Sequence, residues 1–177
     1  ARHLPDSKVS LWSRSAEQLA DIQESGENCS YLPGIKLPSN LLFESDFTQA
    51  IKKLSSSDLL VIATPMSALS GTIAQVLKIA ERPLNIIWLC KGLEPNTALL
   101  PHQVVEREDQ MHNHGLVHSY GALSGPSFAR EVGAGMPCAL TIASKSPALC
   151  DTVQAAFHHG NMRVYSDRKS TRLNSSH

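Results

Sequence analysis

Asp58-Leu59-Leu60-Val61-Ile62-Ala63-Thr64, closed by Pro65, is the stretch that decides the fold. After its first residue it is nearly all apolar. A strand with one wet face alternates polar and apolar side chains, whereas a continuous apolar run reads as a strand covered on both faces, as in a parallel sheet. Just downstream, Leu69, Ile73, Val76, Leu77 and Ile79 fall on one stripe of a helix predicted over residues 67–80. A second buried strand, residues 84–90, follows and stops at Lys91-Gly92.

The same alternation extends outward. Residues 8–12 read as a strand. Ser15-Ala16-Glu17-Gln18 has the capping-box pattern and opens a helix that ends near Gly26. A loop rich in Pro, Gly and Asn covers 27–40. Strand 41–44 and a helix from its Asp46 cap through Lys53 lead into the decisive run. Beyond residue 91, a helix is expected over about 99–110, then a polar turn holding His112, His114 and His118. A strand at 120–123 runs into Ser124-Gly125-Pro126, with a helical turn from Ser127. A strand at 139–143 follows, then a helix opened by Ser146-Pro147 and running to about His158, then a short strand at 162–165. Strands alternating with helices define a doubly wound α/β sheet, mostly parallel. Residues 1–167 form one unit. Residues 168–177 are polar and without period, and read as an artefactual tail outside the fold. The first residues read as the end of a helix, so the chain is expected to begin mid-fold.

Composition narrows the function. Of 177 residues, 42% are hydrophobic, enough to supply a core. Lys and Arg number 16, against 16 Asp and Glu, which gives no electrostatic reason to expect nucleic acid or a membrane surface as partner. No apolar run approaches the roughly 18 residues of a spanning helix, and Ala1-Arg2-His3-Leu4-Pro5 has no apolar signal core. Cys29, Cys90, Cys138 and Cys150 are far apart with no metal-ligand spacing, so reduced thiols in a cytosolic protein are expected.

Open α/β sheets bind ligands at the carboxyl ends of their strands. Arg14 follows the strand at 8–12. Its fork of donors suits a ribose 2′-phosphate, although a solvated Arg before a helix fits the same letters. Lys91 follows the second buried strand and can reach an anionic substrate as a compact charge. A water-facing Lys in a Gly turn is the alternative. Ser127, after Gly125-Pro126, can add its hydroxyl to the N–H groups of a helix start, a site for phosphate or carboxylate, or can simply cap that helix. The three loop histidines lack a Cys or paired carboxylate nearby and are read as solvated, with no metal. His158-His159 suits a helix end, where a cation meets the dipole favourably. No Ser sits in a Gly-x-Ser-x-Gly elbow.

Two longer strings, in order, then carry a resemblance. Trp88-Leu-Cys-Lys-Gly-Leu-Glu94 is followed, about 30 residues later, by Leu123-Ser-Gly-Pro-Ser-Phe-Ala-Arg-Glu131. Together with Tyr31-Leu32-Pro33-Gly34 and Arg163-Val164-Tyr165-Ser166, they make residues 1–167 resemble the bacterial-type NAD(P)-dependent glycerol-3-phosphate dehydrogenases. The resemblance implies a Rossmann-like domain, NADP or NAD as cofactor, and interconversion of dihydroxyacetone phosphate and sn-glycerol 3-phosphate for phospholipid synthesis in the cytoplasm. It places Arg14, Lys91 and Ala129 at the cofactor, and Lys91, Gly125 and Ser127 at a phosphorylated small-molecule substrate. A homodimer of the full-length enzyme stays open.

Three departures accompany it. The opening strand with its Gly-x-Gly-x-x-[Gly/Ala] turn is missing, and so are the segment bearing the family's general acid/base Lys and the helical C-terminal domain. The fragment is therefore expected to be inactive alone. In the usual strand order the first strand is central, so strands 8–12 and 58–64 should lose a shared neighbour and the isolated chain should be poorly stable. Two other readings share the sheet: a 3-hydroxyacid or ketopantoate-type dehydrogenase, which lacks the paired strings, and a non-catalytic nucleotide-binding module.

Overall fold

The structure, a computed structural model, describes Leu4 and residues 6–167. The polar tail at 168–177 and most of the first five residues lie outside the described residues. The chain alternates strand and helix throughout: β1 (Val9–Trp12), α1 (Ala16–Ser25), β2 (Leu41–Glu44), α2 (Phe47–Lys52), β3 (Leu59–Ile62), α3 (Met66–Ile79), β4 (Asn85–Trp88), α4 (Pro101–His112), β5 (Ser119–Ser124), α5 (Ala129–Gly133), β6 (Cys138–Ser144), α6 (Pro147–Phe157) and β7 (Met162–Asp167). Local chemistry sets the boundaries. Ser15, Asp46 and Ser146 each accept from the backbone N–H three residues on, satisfying an orphan donor of a helix start. Gly26, left-handed at φ 68°, closes α1 through its N–H to Ile22 O.

Strands order as β3-β4-β5-β6-β7 in one sheet, all parallel except the β5–β6 pair. The remaining two form a separate parallel pair, β1-β2. Among the described residues no strand lies between β1 and β3, and the strands form two separate sheets. α2 leans from one piece towards the other. Phe47 packs against Trp12 with ring centroids 4.6 Å apart and planes tilted by 54°, and Ile51 is buried in the core beside α3.

Doubly wound packing is legible residue by residue. In β4, Ile86 and Trp88 point into one core with Leu69, Ile73, Val76 and Leu77 of α3 and Val104 and Val105 of α4. The intervening Ile87 points the other way, into a second core with Leu123, Ile142, Leu149, Val153 and Val164. This is the period of two along a strand, with helices on both faces. Gly121 serves the second face: a Cβ there would come 2.9 Å from Ile142 Cδ1 and 3.3 Å from Leu149 Cδ2, so its absence lets α6 pack.

Some expectations need correction. The decisive run is paired only over Leu59–Ile62, because Asp58 is taken up in a turn, its carboxylate accepting from Ser55 N–H at 2.7 Å. The helix expected from Ser127 begins at Ala129 with Phe128 as its N-cap. Two of the three histidines placed in a solvated turn are elsewhere. His112 is the last residue of α4, 3.5 Å from Glu108, and His118 is buried, its Nδ1 accepting from Leu84 N–H at 3.2 Å.

Candidate functional site

Because β3, β4 and β5 are parallel neighbours, their carboxyl ends share one edge of the sheet. The chain leaves that edge three times: after Ile62 into Ala63-Thr64-Pro65, after Trp88 into Leu89-Cys90-Lys91-Gly92, and after Ser124 into Gly125-Pro126-Ser127. Leu89 N–H donates to Ile62 O at 3.0 Å, which ties the first two exits together. Lys91 Nζ donates to Gly125 O at 2.8 Å, which ties the second to the third. An ammonium has three donors, and Lys91 is exposed, so two N–H bonds remain for an incoming anion.

The third exit is tight for a steric reason. A Cβ on Gly125 would press into the Ala139 carbonyl oxygen and lie 2.9 Å from Leu140 Cδ2. Only glycine lets the turn sit flat on β6. Gly125 O also accepts from Ser127 N–H at 3.0 Å, so one carbonyl gathers the Lys91 ammonium and the Ser127 backbone. This turn displaces the cap: Ser127 is spent in it, and Phe128 opens α5 with its N–H 3.4 Å from Glu131 Oε2. Ala129 is the first residue of α5 and is exposed, as is Phe128 at 72%.

Arg14 stands at the carboxyl end of β1, exposed and without an ion-pair or hydrogen-bond partner among the described residues. It belongs to the separate strand pair, so no ladder of hydrogen bonds connects it to the Lys91–Gly125 edge. Lys91, Gly125 and Ser127 are therefore joined by hydrogen bonds, with Ala129 two residues further on, while Arg14 follows a strand of the separate pair.

Further features of this edge escape a reading by motif. Thr64 Oγ1 is buried at the exit of β3 with no hydrogen-bond partner among the described residues. A buried hydroxyl left unpaired is costly unless a ligand or water meets it. The Cys90 thiol, beside Lys91, has its pKa raised by burial, which keeps it protonated and unreactive. The loop carrying Lys91 is anchored by Glu94, whose two carboxylate oxygens take Arg107 Nη1 at 2.8 Å and Nη2 at 2.9 Å. Arg107 holds the Glu94 carboxyl below its usual pKa, with a further hydrogen bond from Thr97. Only proximity in three dimensions reveals this pair, since 13 positions separate its members. No cluster of three or more His, Cys, Asp or Glu placed to hold a metal occurs among the described residues, and no helix there is long and apolar enough to cross a membrane.

Comparison with known proteins matches residues 1–150 to the family model described as NAD-dependent glycerol-3-phosphate dehydrogenase N-terminus. The chain belongs to this family. It is 78% identical over 165 residues to the glycerol-3-phosphate dehydrogenase [NAD(P)+] of Polynucleobacter necessarius subsp. necessarius (strain STIR1), covering 93% of the chain and 48% of that relative. The protein of the same name from Polynucleobacter asymbioticus is 72% identical over 166 residues, covering 94% of the chain and 49% of that relative. Among solved structures, the glycerol-3-phosphate dehydrogenase of Coxiella burnetii superposes with a TM-score of 0.78 at 28% identity, over 90% of the chain and 46% of that protein. The chain thus spans about half the length of these glycerol-3-phosphate dehydrogenases, and its α/β, mostly parallel, Rossmann-like sheet is the architecture they share.

Proposed function

We propose that this chain is the dinucleotide-binding half of an oxidoreductase that interconverts dihydroxyacetone phosphate and sn-glycerol 3-phosphate with NADH or NADPH, in the cytoplasm and in the service of phospholipid synthesis. One observation carries the reading: the Lys91 ammonium and the Gly125–Ser127 turn meet at one carboxyl edge of the sheet. An ammonium with no ion-pair partner among the described residues, near a Ser and a helix start, is suited to a phosphorylated substrate.

The residues present fit a nicotinamide dinucleotide. Among the described residues, Thr64 offers a buried hydroxyl without a hydrogen-bond partner at the exit of β3, and Arg14 offers an unpaired guanidinium at the exit of β1. When bound, the reduced cofactor supplies a hydride to the ketone carbon. The protein's own groups bind and orient. Lys91 directs two free N–H bonds at the substrate's oxygens, where it offsets negative charge as the ketone oxygen gains electron density. Ser127 and the first amides of α5 hold the anionic end, Ala129 borders the cofactor, and Arg14 faces its 2′-phosphate where NADPH is used. The ketone oxygen must also gain a proton. The resemblance assigns this to a family Lys whose segment is not matched by this sequence after Tyr165-Ser166-Asp167.

The test is reduction of dihydroxyacetone phosphate by the full-length protein, followed as loss of NADH or NADPH absorbance. Turnover of this substrate, with little on 2-keto acids such as ketopantoate, supports the reading. The reverse preference would reject it.

A further inference from the structure

Among the described residues, the Lys91 side chain makes one hydrogen bond, to Gly125 O. An exposed lysine on a flexible stem does not place itself, so its position is inherited from the loop between β4 and α4. That loop is strained. Asn96 and Ala98 both adopt left-handed backbone angles, φ 71° and 54°, and neither is glycine. Ala in this region carries a steric cost that persists only where surrounding structure over-determines it. Two backbone bonds fold the loop on itself, Glu94 N–H to Leu99 O at 2.8 Å and Ala98 N–H to Glu94 O at 3.0 Å. Leu99 packs against the core at the far end of the loop, and the polar tie to the body of the protein is the Glu94 carboxylate, whose side chain is 11% exposed and gripped by both arms of Arg107.

Arg107 is itself braced from behind. Its Nη2 reaches Glu108 Oε1 at 2.8 Å and Ser70 Oγ at 3.2 Å, its Nε reaches Glu108 Oε1 at 3.0 Å, and Ser70 Oγ donates to the same oxygen at 2.9 Å. Glu108 is almost fully buried, at 5% side-chain exposure. Hydrogen bonding to the two carboxylates raises the pKa of Arg107, so the guanidinium stays charged. The fork thus joins three elements: α3 through Ser70, α4 through its own backbone and Glu108, and the Lys91 loop through Glu94.

We propose that Arg107 is a positioning residue: by clamping Glu94 it holds the strained 91–99 loop in the shape that delivers the Lys91 ammonium to Gly125 and the substrate. This rests on the reading of Lys91 given above. Without the clamp, Asn96 and Ala98 relax, the loop shifts, and Lys91 leaves the edge. Two buried carboxylates sharing one cation would be costly to leave unpaired, so Arg107→Ala is paired with milder variants. Arg107→Lys keeps the charge and loses the two-armed grip, and Glu94→Gln keeps the shape and loses the charge.

In the full-length protein, Arg107→Lys and Glu94→Gln raise KM for dihydroxyacetone phosphate by roughly 10- to 100-fold, the scale of a small misplacement at a reacting centre, with the melting temperature lowered only modestly. In a Lys91→Ala background neither substitution raises KM further, because the group they position is gone. A raised KM in Lys91→Ala beside an unchanged KM in both clamp variants overturns the positioning role alone. So do effects that simply add in the double variants. An unchanged KM in Lys91→Ala overturns the reading of Lys91 and the clamp's role with it.

Discussion

Lys91 Nζ and the carbonyl oxygen of Gly125 are 2.8 Å apart although 34 positions separate them in sequence. The contact exists because β4 and β5 are adjacent and parallel, so their exits meet. Each partner alone has an ordinary explanation: a Lys in a Gly turn and a Gly in a tight turn. Joined, they put the Lys91 cation and the Ser127 backbone N–H on one carbonyl, two residues before the start of α5.

Gly125 is required for packing before any contact with substrate. Gly125→Ala sets a methyl group against the Ala139 carbonyl and Leu140. Overpacking against backbone should cost about 1–3 kcal/mol and move the turn. Denaturant unfolding should show that loss, whereas Gly92→Ala, with open space around its Cβ and only its φ of 92° opposing it, should show a strain cost without a clash.

His118 makes stability depend on pH. It is buried, its Nδ1 must stay unprotonated to accept from Leu84 N–H, and its Nε2 has no hydrogen-bond partner among the described residues. Desolvation lowers its pKa, with the charge of Asp109 opposing. A histidine with a folded pKa below its unfolded value of about 6.5 leaves the unfolded chain binding more protons between the two values, so stability falls as pH drops below about 6.5 and levels off once the folded pKa is passed. Melting temperatures between pH 8 and pH 5 should decline across that window, with a shallower decline in His118→Phe. An identical slope in the variant would refute this.

Arg14 should discriminate between cofactors. With no partner to lose among the described residues, Arg14→Ala should leave the fold intact and weaken NADPH binding by roughly tenfold, the worth of about one charge-assisted contact, while NADH binding hardly changes. Fluorescence titration of the full-length variant with each cofactor measures the difference. Equal losses for both would remove Arg14 from the 2′-phosphate.

The two-piece sheet predicts uneven protection. β1 and β2 carry no fully buried residue, whereas Ile86, Ile87 and Trp88 of β4 are all buried. Local opening follows burial and pairing, so amides of β1 and β2 in the 177-residue chain should exchange faster than those of β4 and β5. Uniform protection in a single cooperative unit would contradict this.

Much of this was readable in the letters. The apolar run of β4 and the helical stripe of α3 announce themselves through period and burial, and Ser15, Asp46 and Ser146 announce helix starts; β3 is apolar as expected but not covered on both faces, since Val61 is exposed. Lys91, Gly125 and Ser127 could be singled out because they follow strands. Less legible was whatever depends on contacts distant in sequence. His118 looks like one of three loop histidines until Leu84 N–H is found beside it. Ser127 looks like a cap until its N–H turns back to Gly125. The antiparallel β6 and the Arg107–Glu94 grip leave no local trace, because strand direction and side-chain partners are set by the fold as a whole.

The most direct test of the account is kcat/KM for dihydroxyacetone phosphate in full-length Lys91→Ala, measured on protein shown by its melting curve to be folded. If Lys91 serves the reacting oxygens as proposed, its loss lowers this value by roughly 100-fold or more. A folded variant that keeps the unsubstituted value would contradict the claim that Lys91 and the Gly125–Ser127 turn together form the substrate site.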